Sequence, residues 1–357
     1  MKHIARALMP IFLLLVLLLS ACDDGYSTTP APSSPAATQP PATAAAANPF
    51  ASVPAIVNPS NLGWPREVKS SNGSTVTIKA KPERIITLSV GHDEITLALV
   101  PANRLVAVSS STKNAAFSNV ADLVKGAATI GREPEVILAQ RPDVMFSSSL
   151  LAATLVDAVS KAGIAVVQTE LKNDHQDRIN QILLAGYIYG EEKRATDFAR
   201  EVDQRFTAVQ AIVKNKAVSA RQRVGSYTLF SDKLYTAGKN STEGSIIENA
   251  GGANVAAEAG LERNPTINYE AVITMRPDII IIAQPPDGAE PFRKSLLANA
   301  VISDVPAVKS GKVYLVDPLL FTTLSHYNVR GVEELAKILW PSDFAGKEFP
   351  PFSKPAQ

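Results

Sequence analysis

From residue 84 onward, short runs of consecutive apolar residues alternate with segments whose apolar positions recur every three or four residues. RIITLSV (84–90), LVAVS (105–109), DVMFSS (143–148) and IAVVQT (164–169) are too short for buried helices and apolar on both faces, which predicts strands of a parallel sheet covered on both sides. Residues 93–100, 134–141 and 150–161 carry the helical period between them. Ahead of this alternation, REVKSSNGSTVTIK predicts a β-hairpin turning at Asn72-Gly73.

The pattern changes at 176–216, where Ile179, Leu183 and Tyr187, then Phe198, Val202, Phe206, Val209 and Val213 mark helical faces divided at Gly190. The second helix, 191–216, would run about 40 Å, too long for a crossover within one small lobe. Alternation then resumes with RVGSYTLF (223–230), KLYTAG (233–238), a helix near Ser245, a helix over 269–275, DIIIIA (278–283), KVYLVD (312–317) and a closing helix over 328–340. The expected fold is α/β: two Rossmann-like lobes, 66–172 and 217–342, joined by a helical region, 173–216, with a ligand cleft between the lobes and a C-terminal tail, 343–357.

The N-terminus adds an address. Lys2 and Arg6 precede an apolar run from Ile11 to Leu19, shorter than the roughly 20 residues of a spanning helix and typical of an export signal. Leu19-Ser20-Ala21-Cys22 then supplies the only cysteine, in the position of a lipidation box, so 1–21 is expected to be removed and Cys22 to carry lipid. No charged residue occurs from Gly25 to Pro65, and the composition is Pro, Ala, Ser and Thr. Residues 22–65 are therefore expected to form a disordered leash, reaching on the order of 100 Å. Without Lys2 and Arg6 the 35 basic residues become 33 against 34 acidic ones, and this near-neutral balance offers no footprint for nucleic acid.

An internal repeat joins PEVILAQRPDVMFSS to NYEAVITMRPDIIIIA. In each copy a glutamate, Glu135 or Glu270, stands seven residues before a proline, Pro142 or Pro277, and an aspartate then leads into an apolar strand. A carboxylate in a first helical turn is favourable against the helix dipole whatever its function. The alternative is that two equivalent lobes each present one carboxylate to a two-fold symmetric partner. The sequence contains no G-x-S-x-G, P-loop, G-x-G-x-x-G or HExxH motif, so no enzyme activity is expected.

KPERIITLSVGHDEITLALVPANRLVAVS, TIGREPEVILAQRPDVMFSS, YTAGKNSTEGSIIENAGGANVAAE, NYEAVITMRPDIIIIA and GVEELAKILWP together resemble the helical-backbone class of bacterial periplasmic substrate-binding proteins. That class delivers iron-siderophores, haem or cobalamin to ABC importers. The resemblance implies a monomeric, lipid-anchored receptor facing the periplasm or cell exterior, with a permease dimer and its cytoplasmic ATPase as partners. It implies a ferric siderophore as ligand, with haem, cobalamin or a stand-alone surface sensor as alternatives, and no resident cofactor. It assigns permease docking to Glu135 and Glu270, and places Arg132 where a hydroxamate-siderophore binder carries a ligand arginine.

Strand ends supply further ligand candidates. His92, Ser110 and Ser148 follow strands of the first lobe, while Tyr227, Phe230 and Tyr235 flank the first turn of the second, and Phe321, His326 and Tyr327 follow its last strand. His92 and His326 are expected on loops facing each other across the cleft. Direct metal ligation by them competes with ordinary hydrogen-bonded imidazoles.

Overall fold

The computed structural model describes residues 48–354. The export signal, Cys22 and the first part of the expected leash lie outside the described residues.

The first lobe is built on a five-stranded, all-parallel sheet in the order Ala128–Thr129, Leu105–Val108, Ile85–Ile86, Val144–Ser148, Ala165–Thr169. Successive side chains alternate between two cores: Ile85, Val144 and Phe146 face one, and Ile86, Met145 and Val166 the other. This is why the strands read as unbroken apolar runs. The first strand is shorter than predicted, because Leu88 adopts a left-handed backbone (φ 56) and a helix begins at Val90, with Ser89 in the N-cap position. The hairpin pairs Arg66–Lys69 with Thr75–Ile78, with Gly73 at φ 85 in its turn.

The second lobe repeats the plan. Ala253–Asn254, Arg223–Phe230, Ile279–Ile282 and Val313–Leu315 run parallel, and Lys233–Thr236 and Thr266–Ile267 extend the sheet antiparallel. Ile279 and Ile281 face one core, Ile280 and Ile282 the other. The sequence pattern missed the helix Pro286–Ala298, whose Gly288 and Pro291 read as breakers. Pro286 occupies its first turn, where no amide is needed, and Ala289, Phe292 and Leu296 are buried beneath it.

The duplication extends to hydrogen bonds. In the first lobe Arg84 donates from Nε to the Arg141 carbonyl (2.9 Å) and from Nη2 to that of Gln140 (2.5 Å). In the second, Arg223 donates from Nε to the Arg276 carbonyl (3.4 Å) and from Nη2 to that of Met275 (2.8 Å). Arg141 and Arg276 both take the left-handed conformation, at φ 49 and 45, immediately before their prolines. Each guanidinium thus satisfies carbonyls orphaned at the end of a glutamate-bearing helix, Pro134–Ala139 or Tyr269–Met275.

Helix His175–Tyr189 ends at Gly190 (φ 69), and the 22-residue helix Glu192–Val213 then runs about 33 Å. Ala195, Phe198 and Val202 belong to the core of the first lobe, and Val209 and Val213 to that of the second. The helix therefore joins the lobes by being part of both interiors.

One terminal expectation is corrected. Residues 48–65 are folded rather than part of a leash: Phe50, Val53 and Ile56 are buried in the first lobe, and the Lys69 amide bonds to the Ala55 carbonyl (2.7 Å). These bulky apolar residues, spaced by three, outweigh the proline- and alanine-rich composition around them. The C-terminal tail is packed as well. Phe344 is buried in the second lobe and Phe352 in the first, while Arg205 covers the Phe352 ring at 4.2 Å and Arg194 binds the Ser353 carbonyl at 2.6 Å. The tail is a second strap along the connecting helix.

Candidate functional site

An open α/β sheet leaves a crevice at the carboxyl ends of its strands, where the strand order reverses. In the first lobe that point lies between Ile85–Ile86 and Val144–Ser148, and residues at or after the ends of these strands, Ser89, His92, Ser148, Ser149 and Leu150, line a cleft of about 1420 Å³. Opposite stand Lys239, Asn240, Ser241, Ser245, Arg263 and Asn264 of the second lobe. The floor includes Phe206 of the connecting helix, on which the His175 ring stacks at 3.7 Å and 9°. His175 Nε2 is 2.9 Å from Asp203 Oδ1, and burial holds its pKa below the usual value. Across one end, Asn173 donates to the Asn240 carbonyl (3.2 Å) and Ser245 to that of Asn173 (3.0 Å).

The lining is polar and balanced in charge: Lys172, Lys239 and Arg263 against Glu170, Asp174 and Glu248. A side pocket of about 290 Å³ opens in the second lobe at the corresponding reversal point, between Arg223–Phe230 and Ile279–Ile282. It is lined by Ser226, Thr228, Phe230, Tyr235, Glu243 and Ala283, and it shares Asn264 with the main cleft.

Behind the cleft the lobes meet at Glu94. Its Oε1 accepts from the Asn119 amide (2.9 Å) and Nδ2 (2.8 Å), and its Oε2 from Thr323 (2.7 Å) and Ser325 (2.5 Å). Burial raises its pKa, and these hydrogen bonds oppose the rise. The neighbouring Asp93 accepts from Thr87 and from Thr112 (2.6 Å), yet burial pushes its pKa up to about 7.

Two α/β lobes sharing one rigid helix, with a polar cleft between their strand ends, suit the capture of a ligand between them. The profile of the periplasmic binding protein family matches residues 85–320. This chain belongs to that family. Among its relatives, an uncharacterized ABC transporter substrate-binding lipoprotein, YvrC, of Bacillus subtilis is 25% identical over 285 residues, covering 79% of this chain and 87% of its own. A cobalamin-binding protein of Halobacterium salinarum is 26% identical over 279 residues, covering 77% and 73%. The periplasmic heme-binding protein RhuT of Roseiflexus sp. RS-1, at 22% identity, superposes with a TM-score of 0.62 over 72% of this chain and 98% of its own. At that identity it establishes the shared fold.

Within this periplasmic binding protein, the residues named from sequence divide into three groups. Ser148, Phe230, Tyr235 and His92 line the cleft or its side pocket. His92, however, is fully buried in the first turn of helix Val90–Leu97 rather than on a loop, with Nε2 2.8 Å from Thr169 Oγ1 and Nδ1 3.0 Å from Ser89 Oγ. Burial lowers its pKa to about 3, so it stays neutral with both nitrogens engaged.

Tyr227, Phe321 and His326 are core residues, which corrects their placement at the cleft. Tyr227 points to the opposite face of its strand from Ser226 and Thr228, as the two-residue period requires, and burial raises its phenol pKa. Phe321 packs in the core of the second lobe. His326 lies edge-on to Phe198 (4.8 Å) and Phe352 (5.1 Å), and does not face His92 across the cleft. Burial, reinforced by Arg178, Arg194 and Arg205, lowers its pKa to about 3. Tyr327 wedges half-buried between the two cores, with its pKa pushed up to about 12 by burial.

Ser110 and Arg132 are exposed and lie outside the lining. Glu135 and Glu270 are exposed at the second position of their helices, which is the same place in the two copies. Sequence reasoning missed Leu150, 87% exposed on the lip of the cleft, and also Lys239, Arg263 and Glu243. Lys239 and Glu243 lie inside YTAGKNSTEG, so the segment was visible while its members were not singled out.

Proposed function

We propose that this binding protein is the receptor of an ABC importer and that its cleft takes a ferric tris-hydroxamate chelate. The observation carrying the reading is the charge-balanced polar cleft of about 1420 Å³ between two lobes that share a rigid helix. Ferric tris-hydroxamates are neutral at the metal centre, whereas ferric tris-catecholates carry several negative charges. Three acidic side chains set against three basic ones suit the former. Exposed Leu150 on the cleft and exposed Phe230 in its side pocket add apolar contact for a chelate backbone. The four lining asparagines, Asn173, Asn240, Asn249 and Asn264, favour a corrinoid as the second reading, since primary amides pair with the carboxamides of cobalamin.

Glu135 and Glu270 are the docking contacts in this reading, one per lobe, and Cys22 supplies the membrane tether. Ligand passes on because the importer binds the loaded and empty forms with different affinity. Calorimetric titration with a ferric hydroxamate, a ferric catecholate, ferric citrate, haem and cobalamin tests the ligand. Saturable binding of the hydroxamate, with weak or absent catecholate binding, is the expected outcome. Binding of cobalamin alone overturns the iron assignment in favour of the corrinoid.

A further inference from the structure

We propose that the side pocket of the second lobe is a subsite for a pendant cationic nitrogen of the ligand, received by Glu243 between the rings of Phe230 and Tyr235. The proposal rests on the reading of the main cleft as a ferric-chelate site.

Glu243 is 8% exposed and lies in the first turn of helix Thr242–Asn249, lining the pocket. Among the described residues it has no ion-pair partner, and Asn264 and its own backbone amide are the groups that offset the effect of burial on its pKa. The other buried carboxylates are better provided for. Glu333 is held by Arg205 through Nε (2.7 Å) and Nη2 (2.6 Å), and Glu94 accepts four hydrogen bonds. A carboxylate withdrawn from water without a cation is costly, and burial accordingly holds the Glu243 pKa above its ordinary value. A cation arriving with the ligand relieves that cost.

The walls suit such a group. Phe230 is 69% exposed at the end of its strand, and Tyr235 on the paired strand also lines the pocket. Aromatic faces attract ammonium groups, and Ser226 and Thr228 add hydroxyl acceptors. About 290 Å³ holds a short aminoalkyl arm and excludes a whole chelate. Asn264, common to both cavities, marks where an arm of a cleft-bound ligand enters.

Ferrioxamine B carries a pendant ammonium, and ferrioxamine E presents a similar tris-hydroxamate closed into a ring without one. Calorimetry on the full chain is expected to show B bound on the order of tenfold more tightly than E, with Glu243→Gln narrowing the ratio to about twofold. No preference for B, or a preference that survives Glu243→Gln, overturns the subsite. If neither chelate binds, the reading of the main cleft fails, and the subsite is judged separately by saturation-transfer NMR with benzylamine and, as neutral control, benzyl alcohol. Saturation transfer to benzylamine that disappears in Glu243→Gln supports the subsite. Transfer that is absent with the parent chain, or unchanged in the variant, overturns it.

Discussion

At the ends bearing Glu135 and Glu270 the two lobes share their atomic plan: Arg84 and Arg223 close the helices beneath these glutamates with the same donors on equivalent carbonyls. At the cleft they differ. The first lobe enters a helix directly after its first strand and buries His92, Asp93 and Glu94 in succession, each met by neutral hydroxyl or amide partners. The second turns its first strand into a hairpin, leaving Phe230 and Tyr235 beside a carboxylate with little company. A duplicated scaffold has kept one end alike and let the other diverge. Under the proposed function this is what two demands require, since a symmetric partner asks for equal ends and an asymmetric ligand for unequal walls.

The sharpest way to separate the walls is by titration, because the first lobe holds a carboxyl whose pKa is pushed up to about 7 by burial. For an acid with a raised folded-state pKa, the stabilising contribution is complete below the unfolded value and is lost as pH rises through the folded value. Asp93→Asn should therefore gain on the parent chain by about 1.4 kcal/mol per pH unit between roughly pH 4 and 7, and not beyond. Urea unfolding of both chains across that range measures the difference directly. His92 opposes Asp93 in the parent, since its lowered pKa makes stability fall as pH drops below about 6.5, but this cancels in the comparison. A pH-independent difference would mean that Asp93 is not neutral in the fold.

The next effect concerns the seam between the lobes. Glu94→Ala removes the acceptor of four hydrogen bonds from Asn119, Thr323 and Ser325 and should cost about 3 kcal/mol in denaturant unfolding. Glu94→Gln should recover most of this, because a hydroxyl that donates to a carboxylate also accepts from an amide. Equal losses in the two variants would show that the seam depends on the charge itself.

Period and run length made the two sheets and the connecting helix legible, because each strand and helix writes its burial locally. The seam was illegible for the opposite reason: Ser325 and Glu94 are 231 residues apart, and neither residue type in isolation signals a partner. Phe50 was hidden by a composition that resembles disorder, and Pro291 disguised a helix held by the packing of its neighbours. At the site, strand ends located the cleft. Which side chains face a cavity depended on pleat and helix phase, so Phe230 turns to the side pocket while Tyr227, on the same strand, turns into the core.

The smallest effect tests the likeness of the lobes at the end where it is closest. Asp143 Oδ2 accepts from the amides of Glu83 (2.8 Å) and Arg84 (2.9 Å), whereas Asp278 Oδ2 accepts from Arg223 alone (3.1 Å) among the described residues. Both carboxylates anchor the first strand of their lobe against the arginine-proline turn, and their own amides return a bond to the Arg84 (2.8 Å) or Arg223 (2.7 Å) carbonyl. With a hydrogen bond to a carboxylate contributing about 1 kcal/mol at this exposure, Asp143→Ala should cost about 2 kcal/mol and Asp278→Ala about 1 kcal/mol. Chemical denaturation of the two single variants gives the comparison. Equal costs would show that backbone pairing, rather than the count of side-chain acceptors, holds the two turns, and that the lobes are closer in energy than in hydrogen bonds.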